Sequence, residues 1–235
     1  QAIVHRYLAL SEAHWSADTL VWPEFALTAY GASAEQITGM LSARGRQTNT
    51  NVVIGAPRVE WQRNVAGVGV NEPRYQLFNA ALGLGQAQGV VTKHHLVPFG
   101  DYVPLQEWLR GLIEFFDLPM SNATRGAAQQ DNVVLSMNGQ QVQAAIGICY
   151  EIAYGNSMRK RARQAGVLMT LTNDTWFGRS IGPHQHMQIA RVRALENGRW
   201  LLRAANDGIT GVVDQHGNIR AQLPQFVEGV LATTF

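Results

Sequence analysis

The sequence predicts a layered α/β domain with a mixed sheet, and three observations predict it. Short apolar runs of strand length alternate with longer segments of helical period. Hairpin-like pairs interrupt that alternation, so the strands cannot all run parallel. The composition, 46% hydrophobic and 15% charged over 235 residues, can bury a sizeable core. No repeat, low-complexity tract or linker divides the chain, so one domain over 1–235 is expected.

The elements follow in order. The opening "QAIVHRYLALSEAHW" places Ile3, Tyr7, Leu8 and Leu10 on a helix. "DTLVWPE" is a short strand stopped at Pro23. "SAEQITGMLSARGR" is a helix opening with a capping-box pattern, Ser33 to Gln36. "NVVIGAP" is an apolar strand. "YQLFNAALGL" and "GVVTKHHLVP" are paired strands about a turn containing Gly85 and Gly89. "PLQEWLRGLIEFFDLP" puts Leu105, Trp108, Leu109, Leu112, Ile113 and Phe116 on one face of a helix. That face either packs on the core or forms an arm that dips into a lipid surface. "VQAAIGICY" is a strand, "GNSMRKRARQAG" a helix and "VLMTLTND" a strand. "GPHQHMQIARVRALENG" is a helix with Pro183 near its start and Gly198 just past its end. "RWLLRAAND", "TGVVDQHGN" and "GVLATTF" are further strands.

Composition also excludes functions. A net charge of +2 and the lack of a basic arm argue against nucleic acid. A single cysteine cannot form an intrachain disulfide. No apolar run approaches the roughly 18–20 residues of a spanning helix, and the opening residues lack the pattern of a signal peptide. The sequence starts at Gln1, and it is expected to be part of a longer protein.

Cys149 is that single cysteine, and it ends the apolar run "QAAIGICYE". A lone thiol is either a small buried hydrophobe or a nucleophile. A nucleophile needs a proton acceptor and an oxyanion site. Glu24 follows "LVWP" and Lys93 follows "GVVT", so both also stand at strand ends. Each alone reads as a surface charge; together with Cys149 they form a coherent set. The carboxylate can take the thiol proton, and the ammonium favours the thiolate and then the oxyanion. The Tyr150 N–H offers a second donor. Glu151 and Asp101 add negative charge that positions the lysine or a leaving amine. A Cys–His pair using His94, His95, His184 or His186 is the competing arrangement. Zinc is not expected: there is no HExxH motif, and His184 and His186 at i, i+2 fall on different helix faces. "RKRAR" reads as a solvated helix face, and Trp176 and Phe177 either line an apolar pocket or cap the core.

The set Glu24, Lys93, Cys149 resembles the Glu–Lys–Cys triad of the nitrilase (carbon–nitrogen hydrolase) superfamily. The stretches "TKHHLVPFGDYVPL", "GICYE", "TNDTWFGRSIGPHQHMQIARVRALENGR" and "NDGITGVVD" are similar to its apolipoprotein N-acyltransferase family. That resemblance implies a nitrilase-like α-β-β-α sandwich with mixed β-sheets. It implies Glu24 as general base, Lys93 as oxyanion and thiolate stabiliser, and Cys149 as nucleophile, with no cofactor. It implies a phospholipid acyl donor, a diacylglyceryl apolipoprotein acceptor, and a bacterial inner-membrane enzyme whose catalytic domain faces the periplasm. Trp108, Phe116, Trp176 and Phe177 are expected to touch lipid, and the loops carrying Phe99 and Phe115 to help exclude water. The family usually carries Glu where Asp101 stands. Membrane helices and a first strand precede this region in the family and are absent here. Two other activities fit the same triad: a soluble nitrilase-type amidase, and a silent module that binds lipid or lipoprotein.

Overall fold

The computed structural model describes residues 2–61, 75–98, 100–101 and 123–235. The expected amphipathic helix at 104–119, with Trp108, Phe115 and Phe116, lies outside the described residues, as does Phe99.

Two sheets form where the residue pattern alone suggested one mixed sheet. The first has strand order β1 (Thr19–Val21), β2 (Asn51–Trp61), β3 (Tyr75–Gly85), β4 (Val90–Thr92). The β1–β2 pair is parallel, and β2–β3 and β3–β4 are antiparallel. The second sheet has six strands, from β5 (Val133–Met137) and β6 (Gln140–Ile148) through β7 (Val167–Asn173) and β8 (Trp200–Asn206) to β9 (Gly211–Val213) and β10 (Ile219–Gln222). Its centre, β6–β7–β8, is parallel, and its edges are antiparallel.

Four layers follow from the two-residue period of the strands. Val53 points inward and packs with Ile146, Met169 and Leu202 between the sheets. Its neighbours Val52 and Ile54 point outward, onto helices α1 (Ala2–Glu12) and α2 (Gly31–Thr48), where they meet Val4 and Leu41. On the other side Ala145, Leu168 and Leu201 point outward onto α3 (Gly155–Ala162) and α4 (Gly182–Asn197), meeting Met158, Ala190 and Ala194. The expected α-β-β-α sandwich is therefore present. Asn51 ties its sheets together: its side chain donates to the Ser136 carbonyl and accepts from the Ser136 N–H, both at 2.8 Å.

Several local expectations change. Helix α2 starts at Gly31 with Tyr30 at the N-cap position and no side-chain capping bond, so Ser33 lies inside the first turn and is not the cap. The strand expected over 89–98 is only Val90–Thr92 and stops just before Lys93. The strand expected over 210–218 splits at a turn held by Asp214, whose carboxylate accepts from the His216 and Asn218 N–H groups. β10, absent from the sequence reading, completes that hairpin. Residues 229–235 form no strand, and no strand among the described residues pairs with them. β5 is also new. It joins β6 through Asn138 and Gly139, both at positive φ, which is the two-residue turn that suits a twisted hairpin. Helix α4 ends as expected: Gly198 is left-handed and its N–H returns to Ala194 and Leu195 carbonyls.

Candidate active site

The three residues of the expected triad follow strands of both sheets; Glu24 and Lys93 are in contact, and Cys149 lies within electrostatic reach of both. Glu24 follows β1 and Pro23. Phe25 has φ 53°, and the turn is closed by Leu27 N–H donating to the Gly55 carbonyl at 3.2 Å. A side chain at Gly55 is incompatible with this approach, since a Cβ would lie 2.4 Å from the Pro23 oxygen and 2.5 Å from Glu24 Cα. Lys93 follows β4; its N–H donates to the Asn79 carbonyl and its carbonyl accepts from Gly126.

Both side chains are buried. Lys93 Nζ donates to Glu24 Oε1 at 3.2 Å and to Asp101 Oδ1 at 3.0 Å, and stands 2.8 Å from Asp101 Oδ2 in an ion pair. Glu24 Oε1 also accepts from Asn79 Nδ2 at 2.7 Å, and Oε2 accepts from the Asn173 N–H at 2.8 Å. Burial works against the ammonium, yet the charges of Glu24, Cys149 and Asp101 outweigh it and raise the Lys93 pKa. Asp101 therefore reaches Lys93 despite being one methylene shorter than the usual Glu. Its own carboxylate is fixed by the Val97 N–H at 2.8 Å.

Cys149 opens a 3-10 helix, Cys149–Ala153, directly after β6. Its φ is 53°, a left-handed conformation that strains a residue with a side chain and marks a sharp strand-to-helix bend. The side chain is partly buried against the inter-sheet core. Burial and the Glu24 charge push the thiol pKa up to about 12, with Lys93 and a hydrogen bond to Thr172 opposing them. Burial thus favours the neutral thiol, with the Glu24 carboxylate and the Lys93 ammonium within electrostatic reach of the sulfur. Tyr150 is the second residue of the 3-10 helix, where N–H groups have no partner within the helix, and its ring is exposed.

Glu151 does not touch Lys93. It is buried, and its oxygens accept from the N–H groups of His94 (2.8 Å), His95 (3.2 Å) and Ile148 (3.0 Å). It thus clamps the loop after Lys93 to the end of β6. Arg161 stands 3.9 Å away and bonds the Ile146 carbonyl, so this arginine of "RKRAR" is not solvated, whereas Arg159 and Lys160 are exposed. The rings of His94 and His95 turn elsewhere. His94 Nδ1 bonds the Gly126 carbonyl, and His95 stacks on Tyr154 at 3.8 Å and bonds Ser157. Burial lowers the His95 pKa. Neither ring contacts the sulfur, which removes the support for a Cys–His pair among these two.

Sequence reasoning missed a second buried set. Asp174 Oδ1 accepts from Thr172 (3.0 Å) and faces His186 Nδ1 (2.9 Å), and Oδ2 accepts from Arg203 Nη2 at 2.6 Å. Burial raises the Asp174 pKa, but bonds from His186 and Thr172 and the Arg203 charge more than offset it, so it stays ionised. His184 points to solvent, as the i, i+2 spacing required. The missed signals were polar residues inside apolar strands: Asn79 in "LFNAA" and Arg203 in "LLRAA". Trp176 and Phe177 lie in a short 3-10 turn after β7, 69% and 39% exposed, so they do not cap the core.

The family description "Carbon-nitrogen hydrolase" matches residues 2–235. The chain is 45% identical over 228 residues to the apolipoprotein N-acyltransferase of Pseudomonas aeruginosa, covering 96% of this chain and 42% of that protein. It thus spans less than half the length of this relative. Among solved structures it is similar in fold to an amidase from Nesterenkonia sp. AN1, with TM-score 0.61 and 19% identity over 94% of this chain and 78% of that one. A carbon-nitrogen hydrolase from Helicobacter pylori gives TM-score 0.65 and 14% identity over 97% and 80% of the two chains. With four layers, strand-end residues converging between two sheets, and a family match across residues 2–235, the chain belongs to the carbon-nitrogen hydrolase family.

Proposed function

We propose that this chain is the catalytic part of an N-acyltransferase. It moves an acyl chain from a phospholipid, through a thioester on Cys149, to the N-terminal amine of a diacylglyceryl-cysteine lipoprotein. One observation carries the reading: the lone thiol, at a strained bend, stands within electrostatic reach of a buried Glu24–Lys93 ion pair. Such a thiol reacts only if a neighbour takes its proton as it attacks. The name of the Pseudomonas relative supports N-acyl transfer and the choice of acceptor.

In the first step Cys149 sulfur attacks the ester carbonyl while Glu24 accepts the thiol proton. The carbonyl π pair moves onto oxygen, where Lys93 Nζ and the Tyr150 N–H stabilise it. Collapse breaks the carbon–oxygen bond, and the departing lysophospholipid oxygen takes the proton from Glu24. In the second step the neutral α-amine attacks the thioester, Glu24 takes an amine proton, and the carbon–sulfur bond breaks. Sulfur recovers that proton and the amide leaves. Asp101 keeps Lys93 cationic while Glu24 carries the proton. Trp176 and Phe177 offer apolar surface to the acyl chain and keep water from the thioester; the segment at 104–119 is assigned the same part. The donor and acceptor place this chemistry at the bacterial inner membrane, facing the periplasm. No described helix is long and apolar enough to cross a membrane.

The test uses full-length protein, phospholipid with a labelled acyl chain, and a synthetic diacylglyceryl lipopeptide. Label is expected in an amide on the lipopeptide. Label released as free fatty acid would reassign the chain to the hydrolases, and label left in the phospholipid would leave a binding role.

A further inference from the structure

Asp174, His186 and Arg203 take no part in the scheme above, yet they are buried to 1%, 4% and 2% exposure. A set of this kind is costly to bury unless its members satisfy one another. Arg203 Nε donates to the Ile209 carbonyl at 3.0 Å, and its Nη2 bridges Asp174 Oδ2 (2.6 Å) and His186 Nδ1 (3.2 Å). The network then reaches Cys149 through its backbone. His186 Nε2 meets the Cys149 carbonyl oxygen at 3.2 Å.

That carbonyl is one end of the Cys149–Tyr150 peptide. In a trans peptide the C=O and N–H lie in one plane and point opposite ways, and no described peptide is cis. Whatever fixes the Cys149 oxygen therefore fixes the direction of the Tyr150 N–H, the donor assigned to the oxyanion. The left-handed φ of Cys149 needs such an external hold. Nε2 can hold a carbonyl only as an N–H donor. At the other nitrogen, Nδ1–H can donate to Asp174 Oδ1, or a bare Nδ1 can accept from Arg203 Nη2. A donor on the carbonyl also polarises the peptide and strengthens its N–H.

We propose that His186, oriented by Asp174 and Arg203, is a positioning residue that holds the Cys149–Tyr150 peptide so that the Tyr150 N–H faces the tetrahedral intermediate. The inference rests on the acyl-transfer reading of Cys149 and adds a residue to it.

The test compares two reactions of Cys149 in the full-length protein. Acylation by a p-nitrophenyl acyl ester passes through an oxyanion, whereas alkylation by iodoacetamide displaces iodide and makes none. A Gln amide nitrogen can reach the place of Nε2, and an Asn amide nitrogen only that of Nδ1. His186→Asn is expected to slow acylation about 10²-fold, the usual loss of one oxyanion donor, with alkylation near the wild-type rate. His186→Gln is expected to recover most of the acylation rate. The acylation-to-alkylation ratio is read on each variant separately, so a variant that fails to fold leaves the other decisive. Wild-type acylation in His186→Asn, equal loss of both reactions, or a folded His186→Gln with the low ratio would overturn the inference. A wild type that is alkylated but never acylated would overturn the acyl-transfer reading itself, and this inference with it.

Discussion

Cys149→Ala is expected to bring acyl transfer down to the uncatalysed background, a loss of about 10⁴-fold or more. The size follows from covalent catalysis: without sulfur neither the thioester nor its aminolysis exists, and no neighbouring side chain can replace it. Glu24 is held by Asn79, Lys93 and the Asn173 N–H, and Lys93 is held between two carboxylates. Removing the partly buried thiol leaves those bonds in place, so the melting temperature should stay close to wild type. Turnover measured with phospholipid and lipopeptide, beside a thermal melt, checks both halves. Cys149→Ser keeps the shape and should still bind lipid while forming little acyl-enzyme.

Glu24→Gln is expected to slow thioester formation by about 10²–10⁴-fold, the range for loss of a general base. Gln has nearly the same shape and can still accept from Asn79 or the Asn173 N–H, and Asp101 still neutralises Lys93. A second sign separates base from bystander. The Glu24 charge helps push the Cys149 pKa up to about 12, so its removal should lower the thiol pKa. A thiol that ionises at lower pH yet acylates more slowly has lost its proton acceptor. Ultraviolet titration of the thiolate and single-turnover acylation measure the two. His94→Ala and His95→Ala are expected to acylate normally. Their rings bond Gly126 and Ser157, and Glu151 holds only their backbone N–H groups, which alanine retains.

The legibility of this site in the sequence varies for physical reasons. Glu24, Lys93 and Cys149 each end an apolar run, and strand ends bring distant residues to one rim. Glu24 and Lys93 do come into contact at such a rim, which belongs to two strands far apart in the chain. Neighbourhood along the chain was a weaker guide. Glu151 lies two residues from the nucleophile, but the 3-10 bend turns it back onto Ile148, His94 and His95. His94 and His95 adjoin Lys93 and point away from the sulfur for a similar reason. Charged residues inside apolar strands carried information that periodicity ignored. Arg203 stands in the middle of β8 and cannot be buried there without a partner such as Asp174. Strand β5 was overlooked although Asn138–Gly139 announced its hairpin. In contrast, 229–235 alternates like a strand and finds no partner, since strand pairing depends on long-range neighbours that no local pattern specifies.

The central claim is that Cys149 carries the acyl chain, and intact-protein mass spectrometry tests it most directly. Full-length protein incubated with phospholipid, with no acceptor amine present, is predicted to gain the mass of one acyl group. The adduct should map to Cys149, be released by hydroxylamine as a thioester is, and be missing from Cys149→Ala. No added mass on the wild type, or the same adduct on Cys149→Ala, would contradict the account.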